Sequence, residues 1–368
     1  MACKILERPE ALALSPWEKW KLLSPYLLKH GSECMSYSTL QDGMEYFIDE
    51  GVGYIAFHTL KHPLLSRAGR RFILSDPVAP VSEYERLINN FLADGHDAIF
   101  YQISHEFASA LARARGIKVN EMGVEWDIDV SKFSTKGKDK AQLRHWINKA
   151  LKENVEVVES KMEPQFETAL KKLSDNWLKR KGGEAKFITR PVVFHDEPGV
   201  RLFLARREGR IIGMTVFDPL HRDGKLTGYY HNMSRAEEDA PHGTTDLMTA
   251  KAMEIFKAEG VPMISLGMSP FCELEDKEFK SSVAIRSLFR FMYEHCGYIY
   301  PAKGNYFHKS RYGGVSRKIY LATTRSDIIT DVLLAVKGLG MPVLPENLAP
   351  ISIGKILPSA SFAASDPR

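Results

Sequence analysis

Polar and charged side chains gather at two places in the second half of the chain, each next to a hydrophobic segment. Residues 226–236 lead through a Pro-His-Gly turn to Asp246, and residues 308–312 read His-Lys-Ser-Arg-Tyr. Carboxylates, amides and cations so placed can hold anionic substrates, move a proton or stabilise an oxyanion. An α/β fold that transfers acyl groups builds its site in this way.

Several common enzyme signatures are missing. The chain has no G-x-x-x-x-G-K-[ST] loop, no H-E-x-x-H and no G-x-S-x-G elbow, since residues 267–271 read Gly-Met-Ser-Pro-Phe. The sequence therefore disfavours an ATPase, a zinc hydrolase and a serine hydrolase. We expect neither a metal nor a cofactor.

The composition indicates a globular protein from a reducing compartment. The chain has 368 residues, 44% of them hydrophobic, with a net charge of +4 and a pI near 8.7. Its length favours two domains, and the mild positive charge is compatible with an anionic partner. The four cysteines show no C-x-x-C spacing. With no signal-like start and no run of about 18 apolar residues, we expect a cytoplasmic protein.

Hydrophobic patterns predict two successive strand–strand–helix–strand units, the mark of a duplicated α/β (α+β) fold. We assign residues 1–133 and 154–325 to the two domains and residues 326–368 to a C-terminal helix and a loosely ordered tail. The first unit has strands at 52–58, 71–75, 98–102 and 126–130 and a helix at 105–115. The second has helices at 164–179 and 245–259 and strands at 200–206, 211–217, 226–231 and 263–267.

Residues 134–153 join the two units and are strongly basic. Apolar residues at helical spacing, such as Leu143 and Ile147, predict one buried stripe and one basic face. That face is either an ordinary solvated surface or one that holds phosphates. Its cations include Lys136, Lys138, Lys140, Arg144 and Lys149.

Short motifs then recur in the order of a known family. Ser75-Asp76-Pro77 matches a G-D-P turn, and Trp177-Leu178 together with Glu184 and Phe187 matches a W-L…E…F stretch. Residues 232–235 match a D-L-M-R element, and residues 308–312 match an F-K-x-K-F element. Over roughly residues 36 to 322 the chain resembles the catalytic part of the phosphatidylglycerol lysyltransferases (DUF2156 type), also called multiple peptide resistance factors.

The resemblance implies two tandem GNAT-like acyltransferase domains joined by a basic helix. It further implies transfer of an amino acid from aminoacyl-tRNA to the hydroxyl of an anionic membrane lipid such as phosphatidylglycerol. The chain is then expected to be the catalytic part alone, reaching the inner membrane face as a peripheral protein. Residues 241–245 lack the Q/R-x-x-G-x-G/A turn that holds coenzyme A, which favours another donor.

Site residues follow from the same resemblance. Asn232 stands where the family has a carboxylate; an amide cannot hold a cationic amino acid by charge, so a neutral one is favoured. The residues expected to be catalytic are Asp246, Glu184, Asn232 and Arg235. Those expected to bind substrate are Lys309, Arg311, Tyr229 and Tyr230, and those expected to bind tRNA are the five cations of residues 134–153.

Two other functions are also compatible with the sequence. A Fem-like or protein N-terminal aminoacyl transferase has the same fold and donor but modifies a peptide amine. A module without catalysis would bind tRNA or an anionic membrane through its basic face. Sequence alone does not separate these from the lipid transferase.

Overall fold

The computed structural model describes residues 3–62, 66–181, 188–297, 300–325 and Leu334. Its strands are β1 (Cys3–Leu6), β2 (Glu45–Asp49), β3 (Gly53–His62), β4 (Ser66–Leu74), β5 (Ala98–Ile103), β6 (Lys118–Asp129), β7 (Glu156–Ser160), β8 (Arg201–Arg207), β9 (Arg210–Arg222), β10 (Lys225–Ala236), β11 (Met263–Pro270) and β12 (Val315–Thr323). They form one mixed sheet in the order β1-β2-β3-β4-β5-β12-β6-β11-β10-β9-β8-β7.

Helices cover this sheet. They are α1 (Arg8–Ala13), α2 (Pro16–His30), α3 (Tyr84–Phe91), α4 (His105–Arg115), α5 (Ala141–Lys152), α6 (Pro164–Lys181), α7 (Thr244–Ala258), α8 (Val283–His295) and α9 (Ala302–Ser310). Among the helices in the described ranges, none has the length and apolar character needed to cross a bilayer.

The prediction of a mixed α/β architecture is confirmed by this sheet and its helices. Local signals set several boundaries as expected: Ser104 accepts the Phe107 N–H at the start of α4, and Gly116, with φ 59°, ends it. The strand predicted at residues 126–130 was too short, because residues 126–129 are only the end of β6, which is paired on both sides. Within this end the buried Trp126 and Ile128 alternate with the more exposed Asp127 and Asp129.

Strand β12 crosses the predicted domain boundary. It pairs with β5, through Tyr320 and Ile103, and with β6, through Val315 and Asp127. Strand β6 also pairs with β11. One sheet therefore runs through both predicted domains, and their division at residue 133 stays a prediction.

The basic segment is only partly helical. Residues 136–140 precede α5, so the predicted helix begins later than expected. Leu143, Ile147 and Ala150 of α5 pack in the same core as Met253 of α7. The helix is thus held against the second half of the sheet.

Helices α6 and α7 cover opposite faces of β8–β10. Phe203 and Phe217 pack in the core that contains α7, whereas Leu202 and Val216 pack with Leu170 of α6. This alternation is the two-residue period of a strand. The tail helix predicted near residues 328–336 lies outside the described residues, apart from Leu334.

Candidate active site

Strands β10 and β11 separate after a short stretch of pairing. The two strands are parallel neighbours only at Tyr229 with Ile264 and at Tyr230 with Ser265. Directly beyond, the register shifts in both strands, between residues 231 and 233 of β10 and between residues 265 and 268 of β11. Bulges bend strands and re-aim side chains, and they are common beside active sites. We call this point of separation the strand cleft.

Gly267 allows the cleft wall to form. Its φ is +70°, and a β-carbon there would lie 2.5 Å from Cε2 of Tyr230. The Tyr230 ring therefore lies directly against the backbone of the β11 bulge. Only glycine combines this backbone conformation with so close an approach.

Asp246, which is buried in the first turn of α7, is the centre of a polar cluster. Its Oδ1 accepts hydrogen bonds from Arg311 Nη2, at 2.5 Å, and from Tyr312 Oη, at 2.7 Å. Arg311 Nη2 also lies 2.7 Å from His308 Nδ1. The structure thus joins two sequence motifs that lie more than sixty residues apart. We call these four residues the Asp246 cluster.

Lys309 connects this cluster to the strand cleft. Its Nζ donates a hydrogen bond of 2.7 Å to the carbonyl oxygen of Met268, which lies at the β11 bulge. Burial lowers the pKa of Lys309 to about 8, while Cys34 and Glu125 act in the opposite direction. At neutral pH the ammonium group is mostly charged.

Two neutral histidines stand beside this cation. Burial, with a contribution from Lys309, lowers the pKa of His231 to about 3. Burial likewise lowers the pKa of His308 to about 4, although Asp246 opposes the change. His231 Nε2 lies 2.8 Å from Ser234 Oγ, which lies 2.6 Å from Thr215 Oγ1. Sequence reasoning did not assign a role to either histidine.

A second, partly buried cluster lies on the β6 side of Lys309. Arg317 contacts three carboxylates: Glu33 at 2.7 Å, Glu125 at 2.6 Å and Asp127 at 3.2 Å. Burial raises the pKa of Glu33 and that of Asp127. Gln102 donates to Glu125 at 2.8 Å. This cluster was not predicted, because four separate chain segments supply it.

Arg235 and Asn232 do not join the Asp246 cluster. Arg235 is 2% exposed, donates to Ser174 Oγ of α6 and lies with its guanidinium 5.1 Å from the centre of the Trp177 ring. Asn232 is the extra residue of the β10 bulge and lines a cavity on the α6 side. The catalytic roles predicted for both residues stay predictions.

The two tyrosines have different surroundings. Tyr229 is buried, and its ring stacks on Phe256 of α7 with centroids 4.5 Å apart. It therefore contributes to the core. Tyr230, against Gly267, is the one that lies at the strand cleft. Substrate contact by either ring stays a prediction.

The five predicted tRNA-binding cations divide into two groups. Lys136 and Lys138 are exposed. Lys140 donates to the Arg311 carbonyl oxygen at 3.0 Å, Arg144 donates to the Thr135 carbonyl oxygen at 2.6 Å, and the Lys149 ammonium lies 5.6 Å from the centre of the Trp146 ring. Through Lys140 the basic segment borders the Asp246 cluster, and its tRNA contacts stay predictions.

Glu184 lies outside the described residues, so its predicted role is untested. No group of three or more His, Cys, Asp or Glu side chains in the described part of the chain could hold a metal ion.

Residues 25–323 match the family model described as phosphatidylglycerol lysyltransferase, C-terminal. The chain is 25% identical over 324 residues to the phosphatidylglycerol lysyltransferase of Bacillus subtilis (strain 168), covering 85% of this chain and 36% of that protein. It is 35% identical over 112 residues to the phosphatidylglycerol lysyltransferase of Staphylococcus xylosus, covering 29% of this chain and 13% of that protein. The chain therefore spans about a third or less of the length of these relatives.

Solved structures share the fold. The structure of L-PGS from Bacillus licheniformis has a TM-score of 0.73 at 22% identity, covering 92% of this chain and 98% of that chain. The C-terminal domain (DUF2156) of a protein named as a lysylphosphatidylglycerol synthetase, from Agrobacterium fabrum, has a TM-score of 0.69 at 20% identity, covering 88% and 98%. FemX has a TM-score of 0.52 at 11% identity, covering 91% and 100%.

Proposed function

The chain belongs to the family of phosphatidylglycerol lysyltransferase C-terminal regions, and from this premise we propose that it is an aminoacyltransferase. It moves an amino acid from aminoacyl-tRNA to a hydroxyl of an anionic membrane lipid such as phosphatidylglycerol. Two GNAT-like units joined by the basic segment form the enzyme, which works as a peripheral protein at the inner membrane face. The observation that carries the proposal is the Asp246 cluster with Lys309 beside the strand cleft.

The reaction exchanges one ester for another. The lipid hydroxyl oxygen attacks the aminoacyl carbonyl carbon, and the bond to the ribose oxygen of the tRNA breaks. The proton of the lipid hydroxyl ends on that ribose oxygen, so no ATP and no redox partner is needed. Catalysis then consists of positioning, proton movement and stabilisation of the developing oxyanion.

Lys309 and Arg311 supply the positive charge that this reaction requires. Lys309 reaches the β11 bulge, where its ammonium group can stabilise an oxyanion in the cleft. Arg311 Nε is buried and has no hydrogen-bond partner among the described residues, while Asp246 orients the same guanidinium. A guanidinium with an unused donor is suited to a phosphate oxygen. His231 and His308, being neutral, add no competing charge.

A transfer assay tests the proposal. Purified protein is mixed with total tRNA charged with radiolabelled amino acids and with anionic lipid vesicles, and the label is followed into the organic phase. We expect label in lipid, abolished when the tRNA is pretreated with RNase. Label that enters lipid after RNase treatment would contradict a tRNA donor.

A peptide-amine acceptor is the second candidate, because FemX shares the fold. The same assay with added peptide acceptors separates the two. Label that appears only in peptide supports the Fem-like activity. Binding of vesicles without transfer from any charged tRNA supports a module that does not catalyse.

A further inference from the structure

His308 is the most exposed member of the Asp246 cluster. Its side chain is 42% exposed, against 12% for Arg311 and 5% for Asp246. The next residue of α9, Lys309, donates a hydrogen bond to the Met268 carbonyl oxygen at the β11 bulge. The last turn of α9 therefore sends one side chain to the strand cleft and holds another, His308, at the solvent-exposed edge of the cluster.

The hydrogen bonds of Arg311 determine the tautomer of His308. Arg311 Nη2 lies 2.5 Å from Asp246 Oδ1 and 2.7 Å from His308 Nδ1. A terminal guanidinium nitrogen carries two hydrogens and cannot accept a hydrogen bond, so it donates one hydrogen to each partner. His308 Nδ1 is then the acceptor. The imidazole therefore carries its one hydrogen on Nε2 and is neutral.

A charged His308 would not fit these contacts. Its Nδ1–H would face an N–H group of Arg311 at 2.7 Å. The other acceptor nearby, Asp246 Oδ1, is 3.9 Å from Nδ1, which is too far for a hydrogen bond. Burial lowers the pKa of His308 to about 4, with contributions from Arg311 and Lys309, although Asp246 opposes the change. The ring is therefore neutral at neutral pH.

The hydrogen on Nε2 of His308 is free to bind a ligand. Nε2 lies on the ring edge away from Arg311; it has no hydrogen-bond partner among the described residues and is accessible to solvent. A neutral imidazole N–H can stabilise an oxygen on which negative charge develops during a reaction. Because the ring has no charge of its own, it adds little attraction for a phosphate that is already charged before the reaction.

We propose that His308 is a catalytic residue, which donates its Nε2–H to the acyl oxygen on which negative charge develops during transfer. The inference rests on the proposed function. The lipid hydroxyl oxygen attacks the acyl carbon, and the ribose oxygen leaves with the proton, as before. His308 gains and loses no proton. It supplies a neutral donor to the same reaction for which Lys309 supplies a charge.

Nuclear magnetic resonance measures the tautomer on the whole protein without substrate. Protein labelled with ¹⁵N in its histidines gives proton–nitrogen spectra that distinguish Nδ1–H, Nε2–H and doubly protonated rings. The chain has twelve histidines, so the His308 signals are identified by their loss in His308→Gln. We expect the Nε2–H pattern at neutral pH. An Nδ1–H or a doubly protonated pattern would overturn the inference.

Two variants of similar size test the donor in the transfer assay. Phenylalanine keeps a planar ring without a donor, whereas glutamine has an amide N–H₂ at a similar distance from the backbone. His308→Phe should lower kcat about 100-fold with KM unchanged, the effect of losing one donor to an oxyanion. His308→Gln should stay within about tenfold of wild type. His295→Phe, at an exposed histidine on α8, is the control and should change neither constant.

The outcomes separate this inference from the proposed function. Equal losses of kcat in the two His308 variants would show that the ring shape matters and the donor does not, which would overturn the inference. A raised KM with unchanged kcat would also overturn it, because His308 would then bind the ground state, for example a phosphate. Transfer at equal rates by wild type and His308→Phe would contradict the inference alone, whereas no transfer by wild type would contradict the proposed function.

Discussion

Asp246 carries the candidate site because three other polar side chains depend on it for their position. It lies buried at the start of α7 and binds Arg311 and Tyr312 through one oxygen atom. An acid in the first turn of a helix is also favoured by the helix dipole. Its placement thus serves stability and the site together.

Replacing Asp246 with asparagine should reduce both the stability of the fold and the activity of the candidate site. The amide keeps the size but leaves the mostly buried Arg311 without its counter-charge, which costs about 3 kcal/mol when a buried pair is broken. We expect the free energy of unfolding to fall by about that amount in urea titrations, and kcat/KM for transfer to fall about 100-fold, since 1.4 kcal/mol is tenfold.

The matched control is Asp239→Asn. Asp239 pairs with Arg210, but both side chains are more than half exposed, and exposed pairs contribute no more than about 1 kcal/mol. Equal effects of the two substitutions would contradict a special role for Asp246.

The pKa of Lys309 predicts how the rate of transfer depends on pH. Its pKa of about 8 means that the ammonium group loses its proton as the pH rises through 8. If the charge stabilises the oxyanion, the rate should fall about tenfold per pH unit above 8, after subtraction of spontaneous ester hydrolysis. Arginine keeps its charge in this range, so Lys309→Arg should remove that decrease. An unchanged decrease in the variant would assign it to another group.

Lys309 also affects the free energy of unfolding, and here the effect of a higher pH is favourable. The folded protein lowers the pKa of Lys309 below its ordinary value near 10.5, so the unfolded chain binds more protons between pH 8 and 10.5. The contribution of Lys309 to the free energy of unfolding is therefore least favourable below pH 8 and rises up to about pH 10.5. Unfolding titrations of wild type and Lys309→Met across this range should differ in that slope.

At the scale of elements, the strand cleft depends on Gly267. An alanine there would adopt φ +70° with its β-carbon 2.5 Å from the Tyr230 ring, so the ring or the bulge must move. Gly267→Ala should lower the free energy of unfolding by about 2 to 4 kcal/mol and the transfer rate at least tenfold. Urea unfolding and the transfer assay measure the two effects.

The Gly260→Ala variant separates the effect of backbone strain from the effect of a steric clash. Gly260 has φ +77°, and no atom lies within 4 Å of an added β-carbon. It should lose only about 1 kcal/mol and retain full transfer activity. If the two alanine variants behave alike, the contact with Tyr230 has no role in shaping the cleft.

Elements with local signals could be predicted, and those that depend on distant partners could not. Helix α4 carries its own cap and stop at Ser104 and Gly116. The sequence of β12 has a polar character because Arg317 and Lys318 interrupt its apolar residues. In the fold, carboxylates of β6 pair with both cations. The residues of the candidate site follow the same rule: the motif at 308–312 indicated Lys309, but the acids of the neighbouring Arg317 cluster come from separate segments.

At the scale of the whole molecule, the basic segment should give tRNA binding a steep salt dependence. Lys136 and Lys138 are exposed, whereas Lys140 and Arg144 hold backbone carbonyl groups. Replacing the first two with alanine should reduce the slope of log K against log salt by about 1 to 2 without loss of stability. Filter binding at several salt concentrations measures the slope.

An equal loss of charge elsewhere is the control. Lys171 and Lys172 lie exposed on α6. Their double alanine variant should leave the slope unchanged. A similar reduction in both double variants would indicate diffuse attraction by net charge, without a role for the basic segment.

The continuous sheet predicts that the two halves unfold together. Strand β12 lies between β5 and β6, and β6 joins β11, so neither half can lose its strands without exposing hydrogen-bonding edges in the other. Ile212→Ala, a cavity-forming change in the fully buried core of β9, should cost about 2 to 4 kcal/mol. Hydrogen exchange under mild urea should show that loss in the amides of β3 as well as in those of β9, because cooperative units share one opening free energy. A loss confined to β9 would instead support two domains that unfold independently, divided as the sequence predicts near residue 133.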